Sequence, residues 1–303
     1  MVNMDNNKDI LDALSSVTDN LGTELGIDEN NVPTSFSFYC DALTDENINS
    51  VIEDANSYLI TLVGFPEVGK STFVASLYHL LMLKGEINGF KIVDSDTYVG
   101  FERRAHVRNE VFKTSKRNAR TVMTEGHFLT LTLCKDNIKK KLIISDKAGE
   151  IYKNNYVDNL SEIKNDKGLI YTKHILFFLD SSVLSDDFEY QDFDDKFQML
   201  LGRMVSAKVF DIPKQFDILY NKNDTIDADE KNSSFKKNCS DFEEKLRSDF
   251  NIKVGRIFKT ISNNIDDKGL QDVFDYFVEL LEKKQPAECR EVNWVNTLLG
   301  KNK

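Results

Sequence analysis

The sequence has no closely spaced cysteines and no long apolar run. Its four cysteines, Cys40, Cys134, Cys239 and Cys289, lie far apart, which excludes a zinc knuckle or a C-x-x-C redox motif. No window is as long as the roughly 18 apolar residues of a membrane-spanning helix, so we expect no membrane span. No secretory signal and no lipid-anchor motif is visible either, and we therefore expect a cytoplasmic protein with free thiols.

Basic residues are outnumbered by acidic ones. The chain carries 39 Lys and Arg against 50 Asp and Glu, for a formal net charge of −11. Because nucleic-acid binding needs clustered basic side chains, we do not expect nucleic acid to be the main partner. Residues 101–120 form the one basic stretch, and it is either a solvated segment or a surface that faces an anion or a partner. Aromatic side chains are plentiful, with 21 Phe and 10 Tyr, and they predict a sizeable core.

Short apolar strands alternate with helical patterns from residue 58 onward. This alternation predicts an α/β three-layer sandwich, in which helices cover both faces of a mostly parallel six-stranded sheet. The segments "HFLTLTLCK" and "KKLIISD" predict a hairpin that adds one antiparallel edge strand. We expect a partly helical or disordered N-terminal extension over residues 1–55, the sheet domain over 56–285 and a tail over 286–303.

A phosphate-binding loop is predicted where the first strand ends. The segment "GFPEVGKS" fits G-x-x-x-x-G-K-S/T, follows the strand "YLITLVG" and opens a helix. Its glycines let backbone N–H groups turn toward phosphate oxygens, and the helix adds its positive N-terminal end. Lys70 supplies a point charge for the outer phosphates, and the Ser71 hydroxyl is a Mg²⁺ ligand. The candidate phosphate-binding residues are Gly64, Phe65, Pro66, Glu67, Val68, Gly69, Lys70, Ser71 and Thr72.

A second site, at the end of the strand in "FDILYNKND", indicates which base is bound. The Asp224 carboxylate can accept two hydrogen bonds at once, and guanine presents adjacent N1–H and N2–H₂ donors. Adenine offers no such pair and would leave the carboxylate unpaired, so a site built in this way rejects it. Asn221 and Lys222 complete this candidate guanine site, the Lys222 stem lying along the ring face.

The ordered motifs resemble those of a P-loop GTPase of the translation-factor-like superclass, which includes the Ras-like and Era-like families. The resemblance covers about residues 57–284 and rests on "GFPEVGKST", on "SDKAG" as D-x-x-G, on "NKND" as N-K-x-D and on "FKTISNN" as the loop against guanine. It implies that GTP or GDP and Mg²⁺ are bound. It also implies that Asp146 holds Mg²⁺ through a water and that the Gly149 N–H senses the γ-phosphate.

Further roles follow from the same resemblance. A threonine in "ARTVMTEGHFLT" would close over Mg²⁺, and we prefer Thr124 to Thr121 because it is nearer the following strand. Ile261 and Ser262 would meet the guanine carbonyl. The implied catalytic residues are Lys70, Thr124, Gly149 and Glu150, and the implied metal-binding residues are Ser71, Thr124 and Asp146.

Two departures from the family pattern bear on the reaction. Glu150 stands where Ras-like enzymes have a water-positioning glutamine, so hydrolysis is expected to be slow without an activator. The first switch region is also long, an insert over about residues 85–124, and residues 100–124 are a candidate surface for a protein effector or activator. An arginine of this segment is a candidate internal arginine finger. The candidates are Arg103, Arg104, Arg108, Arg117 and Arg120.

Three functions therefore remain open. The first is a Mg²⁺-dependent GTPase that acts as a molecular switch for a protein partner. The second is a GTP-binding regulatory module that does not hydrolyse the nucleotide. The third is an ATP-using P-loop enzyme, which the N-K-x-D motif disfavours.

Overall fold

The computed structural model describes residues 40–106, 126–226, 229–262 and 268–283. The chain divides into two compact units, Met1–Phe38 and Tyr39–Lys303, and every described residue belongs to the second. The predicted domain boundaries near residues 55 and 285 stay predictions.

One eight-stranded sheet, in the order β2-β3-β4-β5-β1-β6-β7-β8, organises the described residues. Its strands are β1 Ser57–Val63, β2 Glu86–Ile87, β3 Phe90–Asp94, β4 Phe128–Lys135, β5 Ile138–Ser145, β6 His174–Asp180, β7 Gln215–Asn221 and β8 Val254–Lys259. The pairs among β5, β1, β6, β7 and β8 are parallel, whereas β2-β3, β3-β4 and β4-β5 are antiparallel. The sheet is thus mostly parallel with an antiparallel edge.

Helices lie on both sides of the sheet, which confirms the predicted α/β class. They are α1 Asn49–Ile52, α2 Lys70–Lys84, α3 Tyr98–His106, α4 Tyr156–Asp158, α5 Leu160–Asn165, α6 Lys167–Tyr171, α7 Ser181–Leu184, α8 Asp187–Ser206, α9 Asp229–Ser248 and α10 Lys268–Lys283. A π-helical turn, Ile151–Asn155, leads into α4, and a 3₁₀ turn, Asn223–Thr225, follows β7. None of the helices in the described part of the chain has the length and apolar character needed to traverse a bilayer.

The sheet has eight strands and not the six predicted, because residues within the expected switch insert form a second hairpin. β2 and β3 flank the dipeptide Asn88-Gly89, whose φ angles are 52° and 83°. Two consecutive left-handed residues, with Asn-Gly in those positions, are the signature of a two-residue hairpin turn. The predicted hairpin of β4 and β5 uses the same device at Asp136 and Asn137, with φ angles of 51° and 62°.

The core positions the site by burying the central strands completely. Every residue of β6 is buried, and in β1 only Tyr58 is partly exposed. Aromatic side chains fill the layer above them: Phe73 of α2 packs edge-on against Phe178 of β6, with ring centroids 5.3 Å apart. Since the carboxyl ends of parallel strands share one edge of the sheet, the loops after β1, β5, β7 and β8 converge there.

Residues 40–55 also pack against the sheet. Leu43 forms an isolated antiparallel bridge with Phe128, and Ile48 is fully buried in a small cluster with Leu59 and Ile143. The approach is close, because a Cβ at Gly126 would lie 1.9 Å from the Ala42 carbonyl oxygen. Residues 40–55 of the predicted N-terminal extension therefore contribute side chains to the core beside β1, β4 and β5.

Candidate nucleotide-binding site

The loop between β1 and α2 curls because two of its residues adopt left-handed backbone conformations. Gly69 has a φ of 94° and Glu67 a φ of 66°. A Cβ at Gly69 would lie 2.3 Å from Asn221 Nδ2, and one at Gly64 would lie 2.5 Å from the Phe178 carbonyl oxygen. Both motif glycines are therefore required by space, and Gly69 also by its backbone conformation.

Two apolar residues of this loop are anchored in the core, whereas Pro66 and Glu67 between them are more exposed. Phe65 and Val68 are buried, and the Phe65 ring lies 5.4 Å from that of Phe197. Pro66 is half-buried, and Glu67 is exposed. Ser71 and Thr72, both half-buried, follow in the first turn of α2.

Lys70 turns back into the loop that precedes it. Its Nζ donates to the carbonyl oxygens of Gly64, at 2.6 Å, and Phe65, at 3.3 Å, and the side chain is buried. Burial lowers the pKa of Lys70 to about 8, while the negative charges of Asp146 and Glu150 act in the opposite direction. A cation in such a place is stabilised by an anionic ligand, which is the chemistry expected of a phosphate loop.

The D-x-x-G segment after β5 lies directly against the phosphate loop. A Cβ at Gly149 would be 2.3 Å from the Pro66 backbone nitrogen and 2.5 Å from the Phe65 carbonyl oxygen. No side chain fits between the two backbones, so glycine is the residue that permits the contact. Glu150, partly exposed, precedes the π-helical turn, whose buried Tyr152 ring lies 5.7 Å from Lys70 Nζ.

Asp146, the first residue of D-x-x-G, is almost completely buried. Its Oδ2 accepts a hydrogen bond from Arg104 Nε at 2.7 Å, within an ion pair. Its Oδ1 is buried and has no hydrogen-bond partner among the described residues. Carboxylate, hydroxyl and water oxygens are the ligands that Mg²⁺ takes. An orphaned carboxylate oxygen here, with Ser71 on the neighbouring loop, therefore fits the implied Mg²⁺.

Asn221, the first residue of N-K-x-D, joins two loops. Its Nδ2 donates to the Val68 carbonyl oxygen at 2.8 Å, which ties it to the phosphate loop. Its Oδ1 accepts from Thr260 Oγ1 at 3.1 Å, from the Ser262 N–H at 3.0 Å and from Ser262 Oγ at 2.7 Å. The carbonyl oxygen of Ser262 in turn accepts from Ser76 Oγ of α2. One amide thus fixes the candidate base loop relative to the candidate phosphate loop.

The remaining residues of N-K-x-D lie nearer the surface. Lys222 has a φ of 57°, and its Nζ is 2.6 Å from Asp180 Oδ2 at the end of β6. Asp224 is exposed in the 3₁₀ turn, and Ile261 is half-buried beside Ser262. The structure therefore brings the predicted base-binding residues to the same edge of the sheet as the phosphate loop.

Some predicted residues lie outside the described part of the chain: Thr121, Thr124, Arg108, Arg117 and Arg120. The two described arginines of the insert behave differently. Arg103 pairs with Asp41 at 2.8 Å and is partly exposed, whereas Arg104 is buried against Asp146.

A largely buried ionic cluster that no sequence pattern predicts lies near the D-x-x-G segment. Asp45, His127 and Asp166 present ligand-type atoms within 4.8 Å of one another. The Lys147 ammonium already lies among them, 2.9 Å from Asp166 Oδ2 and 3.6 Å from Asp45 Oδ2. Burial, together with the Lys147 charge, lowers the pKa of His127 to about 3, so the imidazole is neutral. These residues come from four separate segments, and no spacing in the sequence could have revealed the cluster.

A comparison with protein-family models decides the family. The model of Double-GTPase 2 matches residues 58–275, which is more than half of the chain and contains all four motif loops. The chain belongs to the Double-GTPase 2 family. As a member of a GTPase family it binds guanine nucleotide, in agreement with the site described above. The match does not distinguish the Era-like and Ras-like classes within the wider group of GTPases. No curated protein matches the sequence significantly.

Proposed function

We propose that this Double-GTPase 2 protein hydrolyses GTP to GDP with Mg²⁺ and acts as a nucleotide-dependent switch for a protein partner. The observation that carries the proposal is the convergence of four motif loops at one sheet edge, joined by Asn221 and by the close contact at Gly149. Family membership supports GTP hydrolysis in general terms. We also propose that the domain is related to Era-like or Ras-like GTPases and that its motif residues have the roles described below.

At the base end, the proposed reader of guanine is the Asp224 carboxylate. Its exposure in the turn after β7 leaves it accessible to a ligand, and it can accept from guanine N1–H and N2–H₂ together. Lys222, held by Asp180, would lie along the ring, and Ile261 and Ser262 would meet the carbonyl oxygen of the base. A site of this kind disfavours adenine, whose edge leaves the carboxylate unpaired.

At the phosphate end, the chain supplies charge and oriented dipoles. Lys70 would leave its carbonyl partners for the outer phosphates, and the N–H groups of the loop and of Gly149 would donate to phosphate oxygens. Ser71, Asp146 and a switch threonine, Thr124 or Thr121, would hold Mg²⁺. When bound, Mg²⁺ neutralises negative charge on the β- and γ-phosphate oxygens.

The second candidate, a GTP-binding module without turnover, is favoured by Glu150. An ionised carboxylate beside the γ-phosphate repels it, and Glu150 replaces the amide that orients water in Ras-like enzymes. The negative charge of Glu150 raises the pKa of Lys70, so Glu150 lies close enough to influence charge at the phosphate loop. Phosphate release from GTP, followed over hours, separates the two candidates: release that Lys70→Ala abolishes supports the enzyme, and stoichiometric binding without release supports the module.

Base recognition is tested by exchanging the nucleotide. We expect wild type to prefer GTP to ATP in competition, and Asp224→Asn to shift the preference from guanine toward xanthine nucleotides, because an amide can donate to the added xanthine oxygen. Asp211→Asn, a change of the same chemistry at an exposed loop residue before β7, is the matched control. Equal guanine preference in Asp224→Asn and wild type would contradict the assignment of the base site.

The switch is proposed to act through the segment of residues 100–124, of which the structure describes α3 up to His106. Because Arg104 of α3 contacts Asp146, a change at the nucleotide reaches this segment through a direct contact. Proteins captured by the chain loaded with a slowly hydrolysed GTP analogue, but not by the GDP-loaded chain, would identify the partner. Capture that is identical in both states would contradict a switch.

A further inference from the structure

The candidate Mg²⁺ carboxylate has an arginine bound to one of its two oxygens. Arg104 Nε donates to Asp146 Oδ2 at 2.7 Å, and the two side chains are 9% and 1% exposed. Removing the charge of one member of such a buried pair leaves the charge of the other uncompensated. No motif of the sequence assigns Arg104 a role of this kind.

Arg104 is itself fixed by backbone carbonyls. Its Nη1 donates to the Gly100 oxygen at 3.0 Å, and its Nη2 to the Gly126 oxygen at 3.4 Å. Gly100 lies one turn earlier in α3, and Gly126 lies just before β4. The guanidinium therefore connects α3, the start of β4 and the end of β5, and its orientation is determined by three separate contacts.

The two oxygens of Asp146 are in different situations. Oδ2 is held by Arg104, whereas Oδ1 is buried without a hydrogen-bond partner in the described residues. We propose that Arg104 is a positioning residue of the Mg²⁺ site: it holds Asp146 so that Oδ1 accepts from a Mg²⁺-bound water. This inference rests on the proposed Mg²⁺-dependent GTPase function. Partners that orient a metal-binding carboxylate are a general means of raising metal affinity.

The geometry separates this role from two others. A cation that competed with Mg²⁺ for Asp146 would be expected to bridge both carboxylate oxygens, as a guanidinium fork does, but Arg104 takes only Oδ2. An arginine finger would extend its terminal nitrogens to the phosphates, but Nη1 and Nη2 of Arg104 already donate to carbonyl oxygens within the protein. A fixed guanidinium with its Nε on one oxygen is suited to orientation.

The test compares the Mg²⁺ dependence of nucleotide binding in Arg104→Ala, Arg104→Lys and Arg103→Ala. Arg103 is the matched control, because it precedes Arg104 on α3 but pairs with Asp41. The release of a fluorescent GDP analogue is followed while free Mg²⁺ is varied, and its affinity is measured again in EDTA. We expect the apparent Mg²⁺ affinity to fall about 10–100-fold in Arg104→Ala. Arg104→Lys should lie between, since an ammonium keeps the charge but cannot reproduce the three directed contacts of the guanidinium.

The affinity in EDTA should be the same in all variants, which distinguishes positioning of the metal site from a general loss of structure. Wild-type Mg²⁺ affinity in both Arg104 variants would overturn the inference, and tighter Mg²⁺ binding would overturn it in favour of competition. If Arg104→Ala does not fold, Arg104→Lys and Arg104→Gln decide by the same two measurements. If wild type itself shows no Mg²⁺-dependent GDP binding, the proposed function fails. If wild type shows it and the Arg104 variants match wild type, only the inference about Arg104 fails.

Discussion

Replacing Asn221 with alanine should loosen the two loops that it joins and lower the stability of the protein without nucleotide. The side chain is buried and makes four hydrogen bonds, one to Val68, one to Thr260 and two to Ser262. Two of the partners are backbone groups, the Val68 oxygen and the Ser262 N–H, which cannot rotate toward new partners. At about 1 kcal/mol for each of these four net hydrogen bonds, we expect a loss of about 4 kcal/mol.

A loss of that size lowers the Tm by about 8–16 °C in a domain of this length. The measurement is thermal unfolding by circular dichroism in the absence of nucleotide, with Asn223→Ala as the control. Asn223 follows two residues later, and its Oδ1 is buried without a hydrogen-bond partner in the described part of the chain. We expect the control to melt near wild type. An Asn221→Ala protein that melts within about 1 °C of the control, a difference of ~0.3 kcal/mol by the same relation, would refute the inference that this amide connects the two loops.

Three further predictions, the first with a control substitution, test other contacts of the structure. Gly149→Ala should weaken GDP binding at least about tenfold, because the added Cβ separates the D-x-x-G segment from the phosphate loop. Gly202→Ala, at a helix position with open space for a Cβ, should instead stabilise the protein by about 0.5–1 kcal/mol. A Gly149→Ala protein that binds GDP as tightly as Gly202→Ala would contradict the contact. Asp217→Ala should cost about 2–4 kcal/mol in urea unfolding, because it strands two donors, the Arg256 N–H and the Tyr276 hydroxyl, which donate to the buried carboxylate at 2.6 and 2.7 Å; a cost under about 1 kcal/mol would count against these hydrogen bonds. Burial lowers the pKa of Lys214 from 10.5 to about 8, so between these pH values the unfolded chain binds more protons than the folded one, and the free energy of unfolding rises with pH. Lys214→Met should remove this rise when unfolding is measured at several pH values. A pH dependence equal to that of wild type would contradict the prediction.

The parts of the site that could be predicted from the sequence are those whose residues lie close together in a short motif. The loop at Gly64–Lys70 needs two glycines and a lysine between a buried strand and a helix, and all of these residues lie within one short segment of the sequence. The same holds for Asp146–Gly149 after β5 and for Asn221 after β7. Parallel strands then bring their carboxyl ends to one edge, so distant motifs could be assigned to one site before any coordinates were known.

The missed features depend on contacts between segments that are far apart in sequence. Nothing adjacent to Arg104 indicates that it meets Asp146, 42 residues later, because the pair forms only when α3 lies against the end of β5. The second hairpin was different, since Asn88-Gly89 between short apolar segments is a local turn signal. The resemblance to compact GTPases instead predicts a switch insert over residues 85–124, and β2 and β3 form within it.

The two borders of the sheet bear on how a partner could attach. β2, at one border, has only two residues, Glu86 and Ile87. β8, at the other, carries Arg256 and Lys259, and Arg256 is paired with Glu279 of α10. Short or charged border strands resist the addition of a foreign strand. Among the described residues, therefore, neither border invites association by strand exchange or fibril-like stacking, and recognition through loops and helix surfaces is the expected mode.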